Sequence, residues 1–290
     1  MRAPMADQHQ PTRSHPCSIE SPQRRLRVVA VASGNGGVGK TNIAVNLAVL
    51  AAREGRRVLL IDGDLGIGSA QVLLGVRPRH HIGLLFDGSL DLNQVLTACP
   101  GGIQLLAGGA GASGLGSVKP EEQLRLLAAL DDMEDQFDLV LIDCGSGLTD
   151  TARFFAGAAE EVLLVVSTEP TSLAAGGAAL KVLGQAVTRF QVVVNPVADE
   201  RTAREWFAKL TRDTASFQKA EVRYLGCVPY DQNLRRAVAW QRPLAELFPR
   251  TPASNALRAI ERALFSRHSP AKLGGGLKFL SQRLLRESMQ

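Results

Sequence analysis

The 290-residue sequence lacks the features that mark secreted and membrane-spanning proteins. No apolar run approaches the roughly 20 residues that a spanning helix needs, and the amino-terminal stretch has no apolar segment typical of a signal peptide. The four cysteines, Cys17, Cys99, Cys144 and Cys227, are far apart and form no Cys-x-x-Cys pair, which argues against a disulfide framework or a zinc site. We therefore expect a cytoplasmic protein with reduced thiols.

Basic residues outnumber acidic ones, so the chain has a formal net charge of +5 and a pI near 9.3. This balance suits anionic partners such as nucleotides, acidic lipids or nucleic acid, but charge alone does not choose among them. Hydrophobic residues make up 45% of the chain, which is typical of a globular protein that can bury a core.

A glycine-rich stretch near the start of the chain matches the phosphate-loop pattern G-x-x-x-x-G-K-[ST]. A β-branched apolar run precedes it and a helical pattern follows it, which is the context this motif requires. Glycines let backbone N–H groups surround phosphate oxygens, and the helix N-terminus adds partial positive charge. Lys40 supplies a charge for the terminal phosphates and Thr41 a hydroxyl for Mg²⁺. The residues predicted to bind the nucleotide phosphates are Gly34, Asn35, Gly36, Gly37, Val38, Gly39, Lys40, Thr41 and Asn42.

Carboxylates follow two of the predicted buried strands. Asp62 and Asp64 come directly after one strand, and Asp143 ends another in the manner of a Walker B motif. The carboxyl ends of parallel strands meet at the edge of a sheet where ligands bind. We therefore predict that Asp62 and Asp143 join Thr41 as ligands of Mg²⁺. A solvated acidic turn is the alternative for Asp62 and Asp64.

Further candidates lie at other strand ends. Gly147 belongs to a flexible turn after Asp143, and the backbone of this turn could approach a γ-phosphate. The carboxamide of Asn195 offers both a donor and an acceptor to a purine edge, although capping of a turn is an equally good explanation. The last predicted strand leads to Pro229 and Asp231 at the same edge of the sheet.

Strands alternate with helices, which predicts an α/β fold with a mostly parallel, twisted sheet and helices on both faces. We assign this domain to residues 26–265 and predict a disordered tail for residues 1–25, which have no apolar periodicity. A second glycine-rich segment, 108–116, is followed by no Lys-Thr pair and predicts a mobile connection. The patterns predict strands at 26–32, 57–61, 103–107, 137–143, 161–166, 190–194 and 224–228, helices at 42–53, 70–74, 120–130, 170–183, 200–217 and 253–264, and further short elements at 82–86 and 90–97.

Residues 266–290 contain a glycine-rich linker and then a short basic helix pattern. Leu277, Leu280 and Leu284 share one stripe of this helix, and Arg283 and Arg286 lie away from it. A basic amphipathic helix from Leu277 to Arg286 suits the surface of an acidic membrane. A terminal helix that docks on the domain through the same stripe explains the pattern equally well.

Four segments of the chain resemble the MinD/ParA class of P-loop ATPases, whose loop is a deviant Walker A motif. They are the phosphate loop, residues 62–66, residues 143–147 and residues 169–172. Within the class, residues 207–211 and 228–250 are similar to the FlhG/FleN subfamily of flagellar-number regulators. The similarity extends over about residues 26–265.

The resemblance implies roles for individual residues. Lys40 and Thr41 would hold phosphate and Mg²⁺, and Asp64 would orient or activate the attacking water, so Asp64 and Lys40 are the catalytic candidates. Asp143 would sense Mg²⁺ and the γ-phosphate. Asn195, with the backbone around Pro229 and Asp231, would hold adenine.

The resemblance also implies partners. ATP would drive a homodimer that exposes a membrane helix, which places the protein at the inner face of the cell membrane. A flagellar GTPase related to the signal-recognition type, or a flagellar transcription activator, would be its protein partner. A ParA-type partitioning ATPase is an alternative, but DNA is not the partner that we expect.

One position departs from the family pattern. Family members carry a lysine immediately before the double glycine, which reaches the nucleotide of the other subunit, and here this position is Asn35. An amide lacks the charge and the reach of that lysine. We therefore predict slow or absent ATP hydrolysis, with a hydrolysis-deficient nucleotide-binding scaffold as the alternative. The amino-terminal GTPase-activating segment of the subfamily is not evident in this chain.

Overall fold

The computed structural model describes residues 26–66, 68–109, 118–214 and 220–266. The predicted tail 1–25 and the amphipathic helix Leu277 to Arg286 lie outside these residues. So do most of the second glycine-rich segment and the last residues of the helix predicted at 200–217.

An eight-stranded sheet forms the centre of the molecule, in the order β3-β4-β2-β5-β1-β6-β7-β8. All strand pairs are parallel except β3–β4, which is antiparallel. Most central strand residues are buried because helices cover both faces, which explains their continuous apolar runs. The strands are β1 (Arg27–Ala32), β2 (Val58–Asp62), β3 (Thr97–Ala98), β4 (Ile103–Leu106), β5 (Leu139–Asp143), β6 (Glu161–Val166), β7 (Arg189–Val197) and β8 (Glu221–Pro229).

The helices form two layers, each with its own apolar core. One layer packs α1, α2, α9, α10 and α11 on the sheet, and the other packs α3 to α8. Among the described helices, none is long and apolar enough to cross a membrane. The helices are α1 (Lys40–Arg53), α2 (Ala70–Leu73), α3 (Gly83–Phe86), α4 (Leu92–Val95), α5 (Pro120–Asp131), α6 (Asp150–Gly157), α7 (Pro170–Leu183), α8 (Glu200–Thr214), α9 (Gln232–Ala239), α10 (Leu244–Leu247) and α11 (Pro252–Ser266).

The α/β prediction with a mostly parallel sheet is confirmed. The sequence patterns missed the two-residue strand β3 and the helices α6, α9 and α10. Strand β7 also continues past Val194 to Val197 instead of ending before Asn195. Its pairing with β8 shifts between Val194 and Val197, and a proline is tolerated there because the ladder is already interrupted.

Helix α11 runs along the sheet from the carboxyl ends of the parallel strands to their amino ends. Near its start, the backbone N–H of Ala253 lies 3.4 Å from the Asp231 carboxylate, beyond the end of β8. Near its end, the carbonyl oxygen of Leu264 accepts a hydrogen bond from Arg27, the first residue of β1. The helix therefore starts at the edge where the parallel strands end and finishes at the edge where they begin.

Candidate phosphate-binding site

The phosphate loop connects β1 to α1 at the edge where the parallel strands end. Gly39 precedes the first turn of α1 with φ 86°, a left-handed conformation that glycine adopts without steric cost. Lys40 opens the helix and is only 7% exposed. Within the described residues, no carboxylate forms an ion pair with Lys40. A buried lysine at a helix N-terminus is a strong site for an anion.

Contacts from two other elements hold the loop. A Cβ atom on Gly34 would lie 1.9 Å from the carbonyl oxygen of Ala175 in α7, so only glycine fits there. The amide Nδ2 of Asn195 donates a 2.7 Å hydrogen bond to the carbonyl oxygen of Val38. Asn195 thus belongs to strand β7 and contacts the loop instead of capping a turn. Its role in binding adenine stays a prediction.

Two buried carboxylates lie side by side at the ends of β2 and β5, because Asp62 and Asp143 are register partners. The two oxygens of Asp62 accept hydrogen bonds from the backbone N–H groups of Asp64, at 3.1 Å, and Ala70, at 2.9 Å. Oxygen Oδ1 of Asp143 is buried and has no hydrogen-bond partner among the described residues. An orphaned buried acceptor of this kind is expected where a ligand supplies the missing contact.

Burial raises the pKa of both carboxyls. The pKa of Asp62 rises to about 6, chiefly through desolvation, against which the hydrogen bond from Ala70 acts. The pKa of Asp143 rises to about 7 through desolvation and then through the neighbouring charge of Asp62. Thr41 and Lys40 act in the opposite direction on Asp143. Each of these buried carboxyls also has a neighbouring carboxylate that raises its pKa, so a cation bound here would stabilise the ionised forms.

The donor set at this edge fits Mg²⁺, which prefers oxygen ligands. It consists of the free oxygen of Asp143, the Asp62 carboxylate and the hydroxyl of Thr41, which shares a 3.2 Å hydrogen bond with Ser69. No group of three or more His, Cys, Asp or Glu side chains arranged around a metal position occurs in the described part of the chain. The remaining ligands would be water and phosphate oxygens, as is usual for Mg²⁺ bound with a nucleotide.

Two other predicted residues lie in the connections that follow β2 and β5. Asp64 follows β2, and its Oδ1 accepts the backbone N–H of Gly66 at 3.2 Å. Gly147, with φ 79°, lies in the β5–α6 connection. In the same connection, Ser146 is close to Gly36, because a Cβ atom on Gly36 would lie 3.6 Å from the Cβ of Ser146. The catalytic role of Asp64 and the phosphate contact of Gly147 stay predictions.

Pro229 ends β8 and Asp231 caps the next helix. Oxygen Oδ1 of Asp231 accepts the backbone N–H of Asn233 at 2.9 Å, and its other oxygen faces Ala253 in α11. Burial acts to raise the pKa of Asp231, but hydrogen bonds from residues including Asn233 outweigh it and lower the pKa overall. The Asp231 side chain thus anchors two helices, and the proposed adenine contact would fall to the backbone beside it.

One contact to the loop was not foreseen from the sequence. The hydroxyl of Ser172, in the first turn of α7, donates a 3.3 Å hydrogen bond to Oδ1 of Asn35. The same hydroxyl accepts the backbone N–H of Ser167 at 2.9 Å. The Pro-Thr-Ser start of α7 was visible in the sequence, but nothing in its spacing indicated a contact with residue 35.

Comparison with known proteins identifies the group to which this architecture belongs. A family model described as the CobQ/CobB/MinD/ParA nucleotide binding domain matches residues 29–244. Antiactivator FleN of Pseudomonas aeruginosa is 39% identical over 262 residues, which cover 90% of this chain and 94% of that protein. Flagellum site-determining protein YlxH of Helicobacter pylori is 25% identical over 276 residues, 94% of each chain.

Solved structures agree on the fold. A chain of the MinC:MinD cell division protein complex of Aquifex aeolicus has a TM-score of 0.70 and 23% identity, with 86% of this chain and 100% of that chain covered. At this identity the likeness shows the fold alone. The family match and the FleN similarity confirm the resemblance inferred from the phosphate loop and the strand-end acids. The chain therefore belongs to the CobQ/CobB/MinD/ParA nucleotide-binding family and falls with the FleN and FlhG flagellar regulators inside it.

Proposed function

We propose that this protein is an ATP-binding switch that regulates the number or placement of flagella. The observation that supports this most strongly is a buried Lys40 that forms no ion pair within the described part of the chain and lies near the Asp62–Asp143 carboxylate pair, in a chain 39% identical to an antiactivator named FleN. A triphosphate with Mg²⁺ supplies both charges that this edge of the sheet lacks: anionic oxygens for Lys40 and a cation for the carboxylates.

Each residue has a defined task in this proposal. The loop amides and Lys40 bind the phosphate oxygens, and Asn195 holds the loop in shape through Val38. Thr41, Asp62 and Asp143 would hold Mg²⁺, which supplies positive charge to the phosphates when it is bound. Asp64 orients the water that attacks the γ-phosphate. The backbone near Pro229 and Asp231 holds the adenine.

The output of the switch is a change in assembly. ATP promotes a homodimer, and the dimer associates through residues 277–286 with an acidic membrane at the inner face of the cell. The words antiactivator and flagellum site-determining in the names of the two relatives favour action on the flagellar system. A flagellar transcription activator is the first partner to test, and a flagellar GTPase is the second.

Asn35 favours a second form of the same function, in which nucleotide binding matters more than turnover. No cation stands at position 35 to offset charge in the transition state across a dimer. The protein would then act as a nucleotide-loaded scaffold. Phosphate release from the purified protein separates the two forms.

Binding of Mg·ATP, measured by calorimetry, tests the proposal at its base. The wild type should bind, and Lys40→Ala should bind at least about 100-fold more weakly because a buried charge-assisted contact is lost. Lys209→Ala, which removes an exposed side chain of α8, should bind like the wild type. Equal binding by Lys40→Ala, or no binding by the wild type, would contradict the assignment of the loop.

The assembly steps need separate measurements. Light scattering should give twice the monomer mass with Mg·ATP and the monomer mass without it. Vesicles containing anionic lipid should retain the ATP-loaded protein, and the full-length double variant Leu280→Asp, Leu284→Asp should stay unbound while it still dimerises. An unchanged mass with ATP would argue against the switch, and unaltered vesicle binding by the double variant would argue against the membrane helix.

A further inference from the structure

The position of Asn35 is fixed from inside its own subunit. Ser33 donates a hydrogen bond from its hydroxyl to the main-chain oxygen of Asn35, and Ser172 donates one to the side-chain oxygen. The backbone of Gly34 packs directly against the carbonyl group of Ala175, where a Cβ atom would not fit. Both the backbone and the side chain of residue 35 are therefore held by contacts within one chain.

Ser172 is suited to orient a neighbouring group. It is 1% exposed, and its hydroxyl oxygen already accepts the backbone N–H of Ser167. The single hydroxyl proton is then directed to Oδ1 of Asn35. The hydrogen bond from Ser172 uses one lone pair of Oδ1, and the two N–H donors of Asn35 have no hydrogen-bond partner among the described residues, so they are available to a ligand.

Amide N–H groups are donors that match phosphate oxygens. Asn35 lies between Gly34 and Gly36 in the loop that surrounds the predicted phosphates, and it is only partly exposed. An asparagine side chain is shorter than a lysine side chain and carries no charge, and Ser172 donates to its oxygen from within the same chain. We propose that Asn35 binds the nucleotide phosphates of its own subunit through its amide N–H groups, with Ser172 as the positioning residue that orients the amide.

This assignment rests on the proposed nucleotide site and adds a role within it. A neutral donor acting inside one subunit contributes to nucleotide affinity in the monomer. ATP binding therefore does not depend on dimerisation through residue 35, in contrast to an arrangement in which residue 35 contacts the nucleotide of a partner.

Calorimetry with Mg·ATP on the full chain tests the donor. Asn35→Asp keeps an oxygen for Ser172 but has no N–H donor, so its ATP affinity should fall by about 10- to 100-fold. Its thermal unfolding without nucleotide should match the wild type, because the contact with Ser172 is kept. A variant that binds ATP like the wild type would overturn the donor role.

A double-mutant cycle tests the positioning role. Ser172→Ala should weaken ATP binding by about threefold in the wild type and have no further effect in an Asn35→Ala background, because its action passes through Asn35. Ser172→Thr, which keeps the hydroxyl, should restore binding, and Thr171→Ala on the exposed side of the same turn should have no effect. Equal losses in both backgrounds would show that Ser172 acts on the fold alone and would overturn its role.

Mixing experiments test whether residue 35 acts within one subunit. An excess of Lys40→Ala protein, which carries Asn35 but has a defective loop, should not restore ATP binding to the Asn35→Asp protein. Restored binding would place Asn35 in the partner's site and overturn the assignment. If the wild type itself fails to bind ATP, the nucleotide site is wrong; if the wild type binds and all these variants bind equally well, only the role of Asn35 and Ser172 is wrong.

Discussion

Removal of one buried carboxylate should stabilise the protein in the absence of ligand. The pKa of Asp143 is about 7 in the folded state against an ordinary value of 3.8, with burial as the main cause. Each pKa unit corresponds to about 1.4 kcal/mol, so the ionised form costs up to about 4 kcal/mol of folding free energy. Because the neighbouring charge of Asp62 contributes to this shift, the cost belongs partly to the pair, and we expect Asp143→Asn to gain about 2 to 4 kcal/mol at pH 8.

The pH dependence follows from the direction of the shift. A carboxyl with a raised folded-state pKa keeps its proton longer in the folded state than in the unfolded state. The contribution of Asp143 to the free energy of unfolding therefore falls as pH rises from about 4 to about 7. The gain of Asp143→Asn over the wild type should be near zero at pH 4 and fully present at pH 8.

Urea denaturation without nucleotide or Mg²⁺, at pH 4, 6 and 8, measures this difference. Asp132→Asn, an exposed carboxylate at the end of α5, is the matched control and should change the free energy of unfolding by less than about 0.5 kcal/mol at each pH. A gain for Asp143→Asn that is the same at pH 4 and pH 8, or a loss at pH 8, would refute the electrostatic reasoning. Mg·ATP should stabilise the wild type and lose most of this effect on Asp143→Asn.

Three further substitutions have expected outcomes. Asn35→Lys should raise the rate of phosphate release at least about tenfold, because it supplies a cation near the γ-phosphate; unchanged kinetics would count against a missing cation as the cause of slow turnover. Gly34→Ala should lower the free energy of unfolding by about 1 to 3 kcal/mol and abolish ATP binding, because its Cβ would overlap Ala175. Gly36→Ala has room for the methyl group and should unfold like the wild type. Equal melting temperatures of the two variants would contradict the packing argument. Asp231→Ala should destabilise the protein by about 1 to 2 kcal/mol in thermal unfolding through loss of the α9 cap, and an unaltered melting temperature would argue against that role.

The layers and the parallel sheet could be predicted because each buried strand is a continuous apolar run followed by a helical pattern. The missed elements have local causes. Strand β3 has only two residues, which is too short for any periodicity, and α6 begins after a glycine-rich turn that obscured its cap at Thr149. The apolar run ends at Val194, so the predicted strand stops before Asn195, but the shifted pairing with β8 lets the strand continue to Val197.

The site was predictable where function depends on local spacing. Lys40, Thr41 and the strand-end acids follow from the loop motif and the rule that ligands bind at the carboxyl ends of parallel strands. The contact between Ser172 and Asn35 joins positions 137 residues apart, so no local pattern could reveal it. The same holds for the hydrogen bond from Asn195 to Val38, which spans 157 positions.

The two anchors of α11 determine where the rest of the chain departs from the domain. With 15 residues, this helix is about 22 Å long. It leads the chain away from the carboxyl ends of the strands and ends near Arg27, at the amino ends of the strands. The ten residues 267–276 can bridge at most about 35 Å when fully extended. If residues 277–286 bind a bilayer as proposed, the surface of that bilayer would lie within about 35 Å of the end of α11, near Arg27.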